Sequence, residues 1–350
     1  MLRDVLAWAF RRADATPEFT PETCLVHHGA RCTACADACP HDAIRITRTV
    51  VIDEIDCTGC GLCVAACPTH ALAPRGANPI ARDVRCSRVA GDAASVPCLA
   101  RLEASDLVRM GANAERVTLG RGPCGDCDVG GPEVPERIAE TIASAAALLA
   151  VHGRPLDVDV VETERLDPSV DPRALSRRDL LRSGWSQVKL AGGAVMAPLE
   201  RLAPEAPRDD GRVALPTEHL RRLRALEVAD LDAAATVPWP LPVVADGCIF
   251  CPACTRVCPT DAIRRVFDEA PDGGPTGGVG GVRGAQGAMR IELEPDRCVG
   301  CDACVDVCPV HVVSMRPTTT WGDLTAGTRT VASSADRPSG EAGVVPRGPS

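Results

Sequence analysis

The stretch Cys57-Thr-Gly-Cys60-Gly-Leu-Cys63-Val-Ala-Ala-Cys67-Pro68 puts three cysteines on one short loop and a fourth just beyond, followed by proline. The same C-x2-C-x2-C-x3-C-P spacing recurs as Cys248, Cys251, Cys254, Cys258-Pro259 and as Cys298, Cys301, Cys304, Cys308-Pro309. A fourth run, Cys32, Cys35, Cys39-Pro40, lacks its first cysteine, and Gly29 stands in that place. The runs also end alike, in Pro-His-Asp-Ala-Ile, Pro-Thr-His-Ala-Leu, Pro-Thr-Asp-Ala-Ile and Pro-Val-His-Val-Val. Such self-similarity marks one structural unit used repeatedly. A triplet of thiolates plus one remote thiolate suits a multi-iron centre, whereas structural zinc takes four ligands in pairs.

These runs resemble those of bacterial-type two-cluster ferredoxins. The resemblance covers residues 24–75 and 245–316. It implies two ferredoxin-like modules holding four [4Fe-4S] clusters, in which the fourth cysteine of each run ligates the other cluster of its pair. By that crossover one cluster takes Cys57, Cys60, Cys63 and Cys39, and its neighbour takes Cys32, Cys35, Cys67 and one further ligand. In the second module one cluster takes Cys248, Cys251, Cys254 and Cys308, the other Cys298, Cys301, Cys304 and Cys258.

The cysteine count names the missing ligand. Of the 20 cysteines, eight lie in residues 24–67, four in 86–127 and eight in 248–308. Cys24 is left over once the other groups are filled. It would close a C-x7-C-x2-C-x3-C-P loop in which Leu25 to Gly29 bulge outward. A histidine ligand, His27 or His28, and a three-iron cluster are the alternatives there.

Between the modules, short apolar runs alternate with helical patterns. Strands are expected at 83–86, 95–98, 116–119 and 156–161, with helices at 101–114 and 133–150, which predicts a small parallel sheet covered by helices. Ligands of such sheets gather beyond the carboxyl ends of the strands. There stand Cys86, Cys98, Cys124 and Cys127, enough for a closed metal site. The series Cys86, Pro97-Cys98-Leu-Ala-Arg-Leu102, Arg109-Met-Gly-Ala-Asn-Ala-Glu-Arg-Val117 and Cys124-Gly-Asp-Cys127 resembles the iron-sulfur delta subunit of hydrogenase and heterodisulfide reductase complexes. That resemblance implies a [2Fe-2S] cluster. Zinc at the same four cysteines and a redox dithiol at Cys124 and Cys127 stay open.

Composition narrows the setting. The chain has 350 residues, four tryptophans, four phenylalanines and no tyrosine, so aromatic packing cannot dominate its cores. No secretory pattern opens the sequence, so reduced, metal-bound cysteines in the cytoplasm are expected. No apolar run reaches the roughly 20 residues of a membrane span. A net charge of -9 argues against nucleic acid.

The rest of the chain reads as connection. Leu175-Ser-Arg-Arg-Asp179 looks like an export signal but follows cluster-bearing chain, and a helix capped by Ser176 is the plainer reading. Residues 176–316, with Val237-Pro-Trp-Pro-Leu-Pro242 ahead of Cys248, are also similar in order to the ferredoxin-type accessory protein of periplasmic nitrate reductase. The helical pattern 217–227 is expected to pack on the second module. Gly273 to Gly287 reads as a hairpin insert between strands at 262–267 and 288–293, and the polar stretch from Pro317 as disordered. The histidines His27, His28, His152 and His219 are expected at the surface.

The expected architecture is therefore α+β. It comprises two ferredoxin-like two-cluster modules at 20–80 and 245–316, the latter with a Gly-rich insert at 268–290. They flank a small α/β parallel-sheet domain at 81–165, with helical and proline-rich linkers at 166–244 and a tail at 317–350. The expected function is electron transfer between redox partners through four [4Fe-4S] clusters and a fifth, [2Fe-2S] centre. The alternatives are a maturation or accessory protein for a molybdenum reductase and an iron-sulfur subunit of a hydrogenase-like or heterodisulfide-reductase-like complex. Partners would be reductase, hydrogenase or molybdenum-enzyme subunits. No flavin, nicotinamide or molybdopterin fingerprint is present, so no catalytic residue is assigned and enzymatic activity of the chain alone is not expected.

Overall fold

The computed structural model describes residues 15–163, 212–227, 230–267 and 288–335. The Ser-Arg-Arg segment and the glycine-rich stretch lie outside the described residues. In all four cysteine runs the residue two beyond the proline has a left-handed backbone: Asp42 (φ 50°), His70 (53°), Asp261 (54°) and His311 (53°). Asp and His are among the few side chains that tolerate this region, which explains why they alternate at that position. The turn is closed by N–H groups donating back to the cysteine carbonyl, at 3.2 Å from His70 to Cys67 and from His311 to Cys308. It directs the next apolar pair inward: Ile44, Leu72, Ile263 and Val313 are all buried.

Among the described residues, those up to Asp230, apart from His28–Ala30, form one compact unit and those from Leu231 a second. The first unit begins with β1 (Glu18–Phe19), α1 (Ala34–Asp37), β2 (Ile44–Ile46), β3 (Val50–Ile52), α2 (Leu62–Ala66) and β4 (Leu72–Ala73). β1 pairs antiparallel with β4, and β2 with β3. Their core is small and partly made of thiols: Cys24, Cys35 and Cys63 pack with Ile44, Val50, Val64 and Leu72.

The same unit continues through β5 (Asp83–Cys86), β6 (Ala94–Val96), α3 (Ala104–Asn113), β7 (Val117–Arg121), α4 (Val134–Ala150) and β8 (Val158–Glu162). The strands form a four-stranded sheet, β6-β5-β7-β8, parallel throughout, as the alternating pattern predicts. Glu103 and Asp106 cap α3 reciprocally, each side chain accepting from the other's backbone N–H.

One expectation is overturned here. The helix α5 (Thr217–Leu226) packs against α3 and α4 of the first unit, not on the second module. The cause is polar and invisible to an apolar stripe: the Glu218 carboxylate accepts from Ser105 N (3.1 Å) and Ser105 Oγ (2.5 Å), and His152 Nε2 lies 2.8 Å from Ala225 O. His219 is correspondingly buried rather than at the surface, and His152 is half-buried.

The second unit contains β9 (Thr236–Val237), β10 (Leu241–Val244), α6 (Ala253–Val257), β11 (Ile263–Phe267), β12 (Met289–Leu293), α7 (Ala303–Asp306), β13 (Val313–Arg316), β14 (Thr319–Thr320), α8 (Trp321–Thr325) and β15 (Arg329–Ser333). The pairs β10·β13 and β11·β12 repeat β1·β4 and β2·β3 of the first module. The stretch after Pro317, expected without structure, is ordered as far as Ala335. Thr320 caps α8, Arg316 and Arg329 hold Asp323 at 3.1 and 3.0 Å, and β15 adds a third strand beside β12. Backbone pairing and ion pairs order it, so low hydrophobicity was no guide. Residues 336–350 lie outside the described residues.

Candidate cluster sites

Cys24, Cys32, Cys35 and Cys67 line one cavity with Phe19, Leu25, Val50 and Leu72. Cys24 follows a 3-10 turn, Pro21–Thr23, and is buried. Burial pushes its thiol up, aided by the nearby Cys67 and Cys32, although Val26 and His27 N–H groups oppose this. Cys35 is pushed up to about 11 by burial first, then by Cys67, Cys32 and Cys24. The cavity lining contains neither His27 nor His28.

A second cavity is walled by Cys39, Cys57, Cys60 and Cys63. Burial, the largest cause, raises Cys60 to about 11 and also pushes Cys63 well up. Cys63 also feels Cys35 of the neighbouring set, so the two sets adjoin. In the second unit Cys248, Cys251, Cys254 and Cys308 surround an apolar cavity, with Cys254 raised to about 11 by burial and by Cys248 and Cys251. Cys258, Cys298, Cys301 and Cys304 influence one another: burial lifts Cys298 far up, Cys301 to about 11 and Cys304 to about 12. Cys304 in turn feels Cys254. Cys308 moves the other way. Burial raises it, but N–H groups of Val312, Val310, Val313 and His311 together outweigh that.

Two hydroxyls escaped the sequence reading. Thr69 Oγ1 lies 3.7 Å from Cys67 Sγ and Thr260 Oγ1 3.8 Å from Cys258 Sγ, both two residues beyond their cysteine and both buried. The Cys-Pro-Thr shared by two tails was the available signal.

In the parallel-sheet region Cys86 ends β5, Cys98 follows β6 after Pro97, and Cys124 and Cys127 occupy the turn after β7. All four line one cavity at the carboxyl edge of the sheet, with Arg121 in its wall. Arg121 Nη1 approaches Cys124 Sγ at 4.0 Å, and its other nitrogen holds Glu162 at 2.5 Å. Burial raises Cys124 while Arg121 opposes it. Cys98 is raised by burial and feels Cys60 as well as Cys86 and Cys124.

Among the described residues no three His, Cys, Asp or Glu side chains converge closely enough to hold a single metal ion. The thiols instead stand around cavities. The sheet-edge set, like the Cys24 set, lines a cavity of its own.

Known proteins bear on the same segments. The 4Fe-4S dicluster domain family matches residues 30–71 and 247–312. A ferredoxin of Methanothermococcus thermolithotrophicus is 44% identical over 46 residues, 13% of this chain and 77% of that protein. The ferredoxin-type protein NapF of Haemophilus influenzae is 33% identical over 76 residues, 20% of this chain and 40% of that protein. One of the subunits of the ion-translocating oxidoreductase complex of Methanosarcina acetivorans is 48% identical over 42 residues, 12% of this chain and 16% of that protein. The chain thus spans less than half the length of these last two relatives. No solved structure matches it. Two dicluster domains imply about four [4Fe-4S] clusters. With every run cysteine but Cys24 inside the matched segments, the chain belongs to the ferredoxins and carries two 4Fe-4S dicluster domains.

Proposed function

We propose that the chain carries electrons between redox proteins through five centres. Four [4Fe-4S] clusters would be held by Cys24/Cys32/Cys35/Cys67, Cys39/Cys57/Cys60/Cys63, Cys248/Cys251/Cys254/Cys308 and Cys258/Cys298/Cys301/Cys304. A [2Fe-2S] cluster would be held by Cys86/Cys98/Cys124/Cys127. The first two-cluster module is taken as residues 20–80, the sheet domain as 81–165 and the second module as 245–316. The observation that carries the reading is the convergence of each cysteine set on its own neighbours, remote in sequence, in desolvated surroundings.

The clusters supply one-electron chemistry, and the protein supplies thiolates, burial and hydrogen bonds that set their potentials. Because raised thiols must shed protons to ligate iron, assembly favours neutral to alkaline pH. None of the twenty cysteines is paired in a disulfide. A reducing compartment, the cytoplasm, suits them. No helix among the described residues is long and apolar enough to cross a membrane.

Iron and sulfide analysis with EPR on anaerobically purified protein tests the assignment. About 18 irons per chain are expected. About 16 irons with one zinc would remove the [2Fe-2S] centre, and fewer would break a cube.

The similarity to NapF and to an oxidoreductase subunit favours a second reading, an accessory or subunit role beside an oxidoreductase complex. Affinity purification separates the two, since a subunit co-purifies with its enzyme in stoichiometric amount and a free carrier does not.

A further inference from the structure

The sheet-edge cysteine site is built against one particular neighbour. Val129, two residues past Cys127, offers its carbonyl to two groups of the first module at once: Thr58 Oγ1 at 2.6 Å and His41 Nε2 at 3.1 Å. Thr58 lies between Cys57 and Cys60, and His41 is two residues past Cys39, so both groups belong to loops of the Cys39/Cys57/Cys60/Cys63 set. Val129 itself lines the sheet-edge cavity. On the next residue, Gly130, a Cβ would fall 3.3 Å from Cys98 Sγ, so this strap lies directly on that sulfur. A second joint runs alongside. Gly61, next to Cys60, has φ +84° and sits where a Cβ would be 2.4 Å from the Cα of Arg101, in the short turn that follows Cys98.

We infer that the first unit is an unbranched three-centre relay, in which the sheet-edge centre exchanges electrons with the Cys39/Cys57/Cys60/Cys63 cluster, which in turn adjoins the Cys24/Cys32/Cys35/Cys67 cluster. The inference rests on an iron-sulfur cluster occupying the sheet-edge site. With clusters bound at both sites, Cys39, Cys57, Cys60 and Cys63 would hold the donor cube and Cys86, Cys98, Cys124 and Cys127 the acceptor, and one electron would pass from the first to the second with no bond or proton transferred. The Val129 carbonyl shared by Thr58 and His41, together with the close backbone approach of Gly61 to Arg101, holds the two ligand loops together. The order also gives the central cube two neighbours and each outer centre one.

The test uses the full chain, prepared anaerobically and reduced stepwise with dithionite under EPR. The signal of the sheet-edge centre is expected to broaden or split once the cubes are reduced. In a Cys24→Ala variant, which removes or alters only the far cube, that broadening is expected to persist. A sheet-edge signal that simply adds to the others in the native chain overturns the relay while leaving the five-centre assignment standing. Loss of the broadening in Cys24→Ala overturns the order of centres. Zinc in place of the fifth iron-sulfur signal overturns the site's assignment and the relay with it.

Discussion

Gly61 lies against Arg101 so closely that a Cβ on the glycine would fall 2.4 Å from the arginine Cα. The same glycine has φ +84°. Gly61→Ala therefore combines a left-handed alanine with a backbone clash, and should cost at least ~2 kcal/mol. Thermal unfolding of the intact chain measures it. An unchanged midpoint would mean that the ligand loop and the turn after Cys98 are not in contact.

The left-handed residue after each Cys-Pro-x is a matched set that can be tested together. Asp261→Val or His311→Val should cost roughly 1–2 kcal/mol or more, while the corresponding Asn variants stay near neutral. Denaturant unfolding read alongside cluster absorbance distinguishes a backbone effect from a lost ligand.

Cys24→Ala should lower the iron content by about one to four per chain, as one cube becomes a three-iron cluster or is lost. His27→Ala with His28→Ala should leave it unchanged. The reverse pattern would transfer the ligand role to a histidine.

Arg121, 4.0 Å from Cys124 Sγ, stabilises negative charge on that sulfur. A cation beside a cluster favours its reduced, more negative form. With an iron-sulfur cluster at the sheet edge, as proposed, Arg121→Gln should therefore lower its midpoint potential by tens of millivolts and leave the other clusters where they are. A redox titration followed by EPR reads this directly.

The first unit also carries buried titrating groups with opposite signs. Burial, then Glu218 and Asp106, push Glu103 up to about 8, against the pull of Arg221 and Arg101. Folding then binds an extra proton, so its contribution is complete below the ordinary 4.5 and is lost as pH rises through 8. Burial, then Arg222 and His219, lower His70 to about 3, so its contribution is complete above 6.5 and is lost as pH falls. Stability should peak between these limbs. Glu103→Gln should flatten the decline between pH 4.5 and 8, whose slope is at most about 1.4 kcal/mol per pH unit. Circular dichroism of unfolding at several pH values checks it, and a decline over that window that survives in the variant belongs to another group.

Much of this architecture could be read from residues because ligand spacing is rigid: Cys57 to Pro68 leaves the chain almost no choice of loop. The parallel sheet was legible from alternating apolar runs, and β5, β7 and β8 lie within a residue or two of their expected places. Cys24 stood out only by subtraction, yet it shares a cavity with Cys32, Cys35 and Cys67. What escaped depends on polar groups meeting across long separations. Glu218 finds Ser105 across 113 residues and carries α5 to the first unit, and Thr58 finds Val129 across 71. No local pattern announces either. The tail after Pro317 was misread because edge-strand pairing and two arginines on Asp323 leave almost no apolar trace.

In the first module, sulfur does the work that side-chain bulk does elsewhere: Cys24, Cys35 and Cys63 are themselves part of the buried core, beside only a handful of aliphatic residues. Without iron, that core is a set of desolvated thiols with nothing to bind. Metal loading is then coupled to the folding of this module. Cells short of iron should hold less of this protein, cleared by proteolysis as it is made, rather than a store of intact but unloaded chains.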